Sequence, residues 1–364
     1  MGTIINLNLR IFYVKFKCEC GRIHANELEF IEISRKVDDL ARNLKELKLG
    51  KKCLIVSGPK TYRIAASKIE EELEKEFKVK TFIAPKFTLE NLRNLIKISK
   101  RFDFELAVGG GSVIDLAKFS SFRNGKRFVA FPTTLSHDGI ASPIVSLRTN
   151  STKLSVLTKQ PVAIFVDLSI ISKAPRRLRL AGFGDILAKY TSLADWKLGK
   201  KEFNEYYCEY TANLVKESLK RVLKAKKDVR DGTEKGLKVE VESLINCGVA
   251  MAYVNSSRPC SGSEHLLAHY LDLYSRSNAL HGEKCALATI IMSKLHKLKW
   301  KKIREVMEFV GLKTTARALR ISKESLINGI VKCKNLRIDR YTILHKLNLN
   351  EEEAEKIATE THVI

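Results

Sequence analysis

From residue 34 to about residue 180 the chain alternates two kinds of pattern. Short apolar runs at 53–56 (CLIV), 79–84 (VKTFIA), 104–108 (FELAV), 127–135 (RFVAFPTTL) and 161–167 (PVAIFVD) predict strands, and most end in a turn rich in Gly, Pro or hydroxyls. Between them, apolar residues fall three and four apart. Val37, Leu40, Ala41, Leu44 and Leu47 predict a helix over 34–47 that Gly50 stops. Further helices are expected from the Gly58-Pro59 turn to about Phe77, over 88–101, and after the triple glycine at 109–111. Such alternation means a parallel sheet with right-handed crossovers. Residues 10–33 read as extended, and 142–159 (SPIVSLRTNSTKLSVLTK) alternates as a hairpin beside the sheet would.

After about residue 181 no convincing strand follows. The spacing predicts helices over 183–198, 204–227, 233–256, 262–275, 283–298 and 301–310, with shorter ones to the end. The expected architecture is an α/β unit with a Rossmann-like parallel sheet over 1–180, followed by an all-α unit over 181–364. A site is expected in the cleft between them.

Length and composition suit this division. At 364 residues, 45% hydrophobic and 29% charged, the chain has material for two soluble domains with their own cores. No run approaches the ~20 apolar residues that span a bilayer, so no membrane insertion is expected. The start, MGTIINLNLRIFYVKFK, has neither the basic region and cleavage site of a signal peptide nor a good myristoylation match. Eight cysteines without disulfide-framework spacing point to reduced thiols and a cytoplasmic location. The net charge of +24 fits nucleic-acid binding, steering of an anionic substrate, or a Lys-rich composition shaped by heat or a biased genome. The charge is scattered, its densest run, 219–230 (LKRVLKAKKDVR), reads as a solvated helix face, and no nucleic-acid motif accompanies it. No nucleic-acid partner is expected.

Five stretches carry candidate chemistry. Gly109-Gly110-Gly111-Ser112-Val113-Ile114-Asp115 follows a strand and opens a helix. Its glycines let a phosphate approach the backbone and the helix dipole, though it is not GxGxxG and a tight turn is the simpler alternative. Pro132 to Gly139 (PTTLSHDG) follows the next strand and suits a second wall of the same site, or a capped loop. His265 and His269 lie four apart on one predicted helix face, and His281 follows with Gly282 and Glu283. They suggest a metal site that lacks a carboxylate, against the plainer reading of histidines on a surface helix. Asp185, in GFGD, is either the N-cap of the next helix or that missing oxygen ligand. Cys18, Cys20 and His24 could also bind metal, but CxCxxxH lacks a fourth ligand, so a turn is expected there.

Together GGGSVID, TTLSHDGIASP, GFGDILAKYTSLADW, GSEHLLAHYLD and ALHGE, in this order and spacing, resemble the sn-glycerol-1-phosphate dehydrogenase family. That family shares a dehydroquinate synthase-like fold with glycerol dehydrogenases and iron-containing alcohol dehydrogenases. SGPKTY and FKCECGRIH fit it too; the last ~60 residues add nothing diagnostic.

The resemblance implies NAD(P)H-dependent reduction of dihydroxyacetone phosphate to sn-glycerol 1-phosphate, the backbone of archaeal ether lipids. It places NAD(H) or NADP(H) on Gly111, Ser112, Val113, Ile114, Asp115, Thr133, Thr134, Leu135 and Ser136, with Ser142 also at the cofactor. It assigns one Zn²⁺ to Asp185, His265 and His281, and puts Asp138, Asp185 and His269 at the substrate as catalytic groups. His269 is then on the substrate side rather than a ligand. A homo-oligomer is expected. Glycerol dehydrogenase and dehydroquinate synthase are rival readings that the HDGIAS and LHGE blocks disfavour. A non-catalytic basic nucleic-acid binder is a remoter rival, with no need for Asp185, His265 and His281 together.

Sites selective for NAD often place an acidic residue after the second strand, where this chain has Ala84-Pro85-Lys86-Phe87. Both NADH and NADPH should therefore serve. Initial rates with each cofactor test this, and a preference for NADH above about a hundredfold would contradict the lysine argument.

Overall fold

Residues 53–56 and 163–166 set the architecture, because side chains alternate across a strand and here both faces are apolar. In the structure, a computed structural model that describes residues 7–10, 15–148 and 153–364, these segments lie inside a seven-stranded sheet. Its strands are β1 (Leu7–Arg10), β4 (Phe30–Ser34), β5 (Lys52–Ser57), β6 (Lys78–Ile83), β7 (Phe104–Gly109), β8 (Arg127–Pro132) and β11 (Ala163–Asp167), in the order β1-β4-β11-β8-β7-β5-β6. All but β1 run parallel to their neighbours; β1 pairs antiparallel with β4 at one edge. A small hairpin joins β2 (Lys15–Lys17) to β3 (Ile23–Ala25), and β9 (Ile144–Arg148) pairs with β10 (Lys153–Leu157) as the alternation at 142–159 predicts. Part of the extended stretch, residues 11–14, lies outside the described residues.

One face of the sheet presents Leu54, Val56, Ala107, Phe128, Ala130, Ile164 and Val166 to the Leu89–Ser99 and Gly111–Arg123 helices. The other presents Cys53, Ile55, Leu106, Val108, Val129, Phe131 and Phe165 to helices that supply Leu40, Leu44, Ile69 and Leu73. The first face belongs to a core that continues through Phe183, Leu266 and Ile290 to Val363. From Leu168 onward all described secondary structure is helical.

Several boundaries differ from the sequence reading. The expected 34–47 helix starts only at Leu40, because β11 takes Ser34 into its register opposite Asp167. The helix expected from 183 begins at Arg176 and runs to Leu187, and the Lys189–Phe203 helix follows at once. Asp185 is thus a mid-helix residue and not an N-cap; Pro175 precedes the first turn.

Gly182 and Gly184 do not break this helix because their backbone is needed close to other chain. A Cβ on Gly184 would lie 2.5 Å from the Gly282 carbonyl oxygen, and one on Gly282 only 1.8 Å from that of Ala181. The Arg176–Leu187 and His281–Leu295 helices therefore touch backbone to backbone where GFGD meets HGE. Arg177 clamps the contact, giving Glu283 hydrogen bonds of 2.8 and 2.6 Å. Gly282→Ala must push these helices apart. A loss of about 1–3 kcal/mol is expected from such overpacking, visible as a lower denaturant midpoint.

Candidate active site

The chain places its candidate groups at the carboxyl ends of the strands, where β5 and β7 diverge to opposite sides of the sheet order. Ligands of open α/β sheets sit at such a switch point. Ser57 ties the two strands there, donating to the Val108 carbonyl at 2.8 Å. The Gly111–Arg123 helix begins directly after β7, and no side chain caps its first turn. Its leading N–H groups are left for an anion. A cleft of ≈ 790 Å³ opens here, walled by Gly110 to Val113, Thr133, Thr134, Ser136 and His281 among others. Thr134 Oγ1 and Ser136 Oγ are buried against it without a hydrogen-bond partner, as groups awaiting a polar ligand would be. Ile114 and Leu135, expected at the cofactor, have side chains packed wholly in the core and can offer only backbone.

A second cavity, of ≈ 320 Å³, adjoins the first. Ser112, Asp115, Asp138, Ser142, Asp185, His265, His269 and His281 line it. His137 and His281 border both.

Four potential ligand groups meet at that junction. Atoms of Asp185, His265, His281 and Cys285 all lie within 4.8 Å of one another. His265 Nε2 is 3.3 Å from Asp185 Oδ1, which is buried and accepts no hydrogen bond. His265 Nδ1 lies 2.8 Å from Glu264, a fully buried carboxylate that also accepts from Thr191 and the Gly262 N–H at 2.7 Å each. A carboxylate on the far ring nitrogen fixes the tautomer and leaves Nε2 for a metal. His281 is backed by Asp272 at 3.7 Å, itself paired with Lys284 at 2.6 Å. His269 stands outside the cluster, its ring 5.5 Å from that of His281 and 6.3 Å from that of His265.

The electrostatics favour a cation. Burial would raise the Asp185 carboxyl, but Lys189 and His265 overcome it and hold Asp185 well below the usual range. Burial would lower His265, yet Cys285, Asp185 and Glu264 drive it well above its ordinary value. The anions there outweigh the imidazoles and capture a proton that a divalent ion would displace. Burial would also raise Cys285, and the two histidines bring it down to about 7. Lys189 is fully buried and forms ion pairs with Asp138 at 2.7 Å and Asp185 at 3.1 Å, though its Nζ makes no hydrogen bond of good geometry. Lys118, equally buried, joins Asp115 at 3.3 Å to the carbonyls of Gly139 and Ile144.

Comparison with known proteins finds relatives of this chain. A family model described as iron-containing alcohol dehydrogenase matches residues 34–175. The chain is 41% identical to the glycerol-1-phosphate dehydrogenase [NAD(P)+] of Thermococcus sibiricus, across 93% of this chain and 99% of that one. The enzyme of the same name from Methanothermobacter thermautotrophicus is 38% identical, across 90% and 95%.

The chain belongs to the glycerol-1-phosphate dehydrogenase family.

The fold agrees. A probable glycerol dehydrogenase from Sinorhizobium meliloti superposes with a TM-score of 0.69 at 20% identity, over 89% of this chain and 95% of that one. The glycerol dehydrogenase from Schizosaccharomyces pombe gives 0.70 at 20% identity, over 88% and 86%.

Sequence reading overlooked Lys118, Lys189, Glu264, Asp272 and Cys285. Two of them follow a family motif residue by one helical turn, Lys189 after Asp185 and Cys285 after His281, so the i,i+4 rule alone could have found them. Glu264 adjoins His265 in sequence, but adjacency on a helix does not predict contact. Replacing it with a neutral amide, Glu264→Gln, should weaken metal binding about 10–100-fold, measured by competition with a chelator. Stability should depend on Asp185 in a defined direction. Its carboxyl is depressed in the fold, so its contribution is complete above the ordinary carboxylate range near pH 4 and lost as pH falls through the lowered value.

Proposed function

We propose that this chain reduces dihydroxyacetone phosphate to sn-glycerol 1-phosphate with NADH or NADPH, using zinc held by Asp185, His265 and His281. The reading rests above all on one observation: a ligand-competent cluster stands where two cavities meet. One cavity has the phosphate-accepting helix start and unpaired hydroxyls a dinucleotide needs; the other has the carboxylates and imidazoles a polyol phosphate needs. We assign the cofactor to residues 1–180 and the metal chiefly to residues 181–364.

A zinc ion in that cluster would supply a Lewis acid for the substrate carbonyl. Asp185 offers Oδ1, which lacks a hydrogen bond, and Lys189 keeps it ionised. Glu264 presents His265 with Nε2 free. Hydride delivered to the carbonyl carbon leaves negative charge on its oxygen, and we assign delivery of the matching proton to His269, with Asp138 orienting the hydroxyls. The same cavity is also lined by Ser146, Ser155, Ser257 and Ser261, and Ser146 Oγ is buried without a hydrogen-bond partner. We assign the substrate phosphate to these hydroxyls.

The assay is oxidation of NADH and NADPH by the purified chain with dihydroxyacetone phosphate, before and after chelation and zinc return. Turnover lost to the chelator, restored by zinc, and yielding the 1-phosphate enantiomer is expected. Activity on dihydroxyacetone or glycerol but not on the phosphate would overturn the substrate and leave the metal site standing.

A further inference from the structure

Remote from those cavities in sequence, the β2–β3 hairpin carries a second concentration of ligand groups. Its turn is tightly built. The Cys18 N–H donates to the Arg22 carbonyl at 2.9 Å, the Gly21 N–H to the Cys18 carbonyl at 3.0 Å, and Gly21 takes a φ of +84°, which favours glycine. This folds Cys18 and Cys20 back toward His24 on β3. The group that the local sequence lacks arrives 184 residues after His24: Cys208, at the entry to the Glu209–Lys224 helix. Ligand atoms of Cys18, Cys20, His24 and Cys208 all lie within 4.8 Å of one another.

We propose that these four residues hold a structural zinc ion, distinct from the one at Asp185. The distances suit a tetrahedral site. Cys18 and Cys208 sulfurs are 3.8 Å apart. That is too long for a disulfide of about 2.05 Å and matches the edge, about 3.8 Å, of a tetrahedron of about 2.3 Å zinc–sulfur bonds. His24 Nε2 is 3.2 Å from Cys208 Sγ and 3.4 Å from Cys20 Sγ. The outer contacts are those of a ligand set. His24 Nδ1 lies 2.6 Å from the Tyr253 carbonyl, an acceptor, so the proton resides on Nδ1 and the Nε2 lone pair faces the sulfurs. Thr211 Oγ1 donates to Cys208 Sγ at 3.1 Å, and the Tyr206 hydroxyl lies 3.2 Å from Cys20 Sγ; both can stabilise thiolates. His24 and Cys208 are fully buried, with Trp196, Ala212 and Val254 packed around the cysteines. Four protein ligands leave no open position, which marks a structural site rather than a catalytic one. Its effect is to pin the hairpin that leads into β4 onto three helices of the C-terminal half.

Zinc content of the full-length chain tests this in three preparations: unmodified, His265→Ala/His281→Ala, and Cys208→Ser. Two, one and one equivalents per chain are expected. Cobalt substituted into the His265→Ala/His281→Ala chain should show thiolate-to-metal charge transfer and the strong visible bands of tetrahedral cobalt. Should Cys208→Ser not fold, the double-histidine variant decides alone. A single equivalent in the unmodified chain, lost entirely in that variant, would overturn the proposal. So would a non-reduced, denatured chain two thiols short of its eight whose missing pair maps to Cys18, Cys20 or Cys208.

Discussion

The arrangement at the active site depends on one buried cation. Lys189 has no contact with water and two carboxylates within 3.1 Å. Such a charge costs several kcal/mol to bury and is tolerated only with good partners. Asp138 comes from the loop after β8 and Asp185 from the first helix of the C-terminal half, so the lysine joins the two halves of the chain at the chemistry. The Asp138 N–H adds a 3.1 Å bond to Asp185 Oδ2, the same oxygen that meets Lys189. One oxygen of Asp185 is thereby committed to structure. The other, Oδ1, accepts no hydrogen bond and lies 3.3 Å from His265 Nε2. A single carboxylate can serve both as anchor and as ligand because its two oxygens point to different tasks.

Around this anchor the packing leaves little freedom. The apolar core runs without interruption from the sheet into the helices, and the glycine contact at Gly184 and Gly282 fixes the height of His281 relative to Asp185. Asp195 fixes His265 in the same way. Its Oδ2 accepts from the Ser263 N–H and Oγ at 2.6 Å each, holding the first turn of the helix that carries His265. Each candidate ligand is thus set by a side chain or a backbone contact on a neighbouring helix, as a site with tight distance requirements demands.

How much of this could be read from the sequence follows from the range of the interactions. The strands were legible because a sheet covered on both faces turns them into nearly continuous apolar runs. The GGG and PTTLS turns were legible because they follow such runs. Asp185 lies inside a helix rather than at its start, and the neighbours that call for glycine beside it, the Leu135 carbonyl at Gly182 and the Gly282 carbonyl at Gly184, are distant in the chain. Glu264 is hidden for a related reason. A charged residue in a helix reads as solvent-facing until the fold shows what buries it. The Cys18–Cys20–His24 turn was read as lacking a fourth ligand for the same cause, since Cys208 is close only in space.

The net charge of +24 is better understood from position than from count. The lysines nearest the chemistry, Lys118 and Lys189, are consumed by Asp115, Asp138 and Asp185 and project no free charge into the cavity. Unpaired positive charge instead rims the entrance: Lys60, Lys86 and Lys173, all exposed, border the clefts at the β5–β7 switch point. A field of that sign concentrates polyanions and raises their association rate, an effect that salt screens. It acts on a dinucleotide phosphate and on a small phosphate ester alike, so it favours capture without selecting between them. Selection falls to the neutral hydroxyls and fixed carboxylates within, which are too weak to attract at a distance and well placed to discriminate at contact.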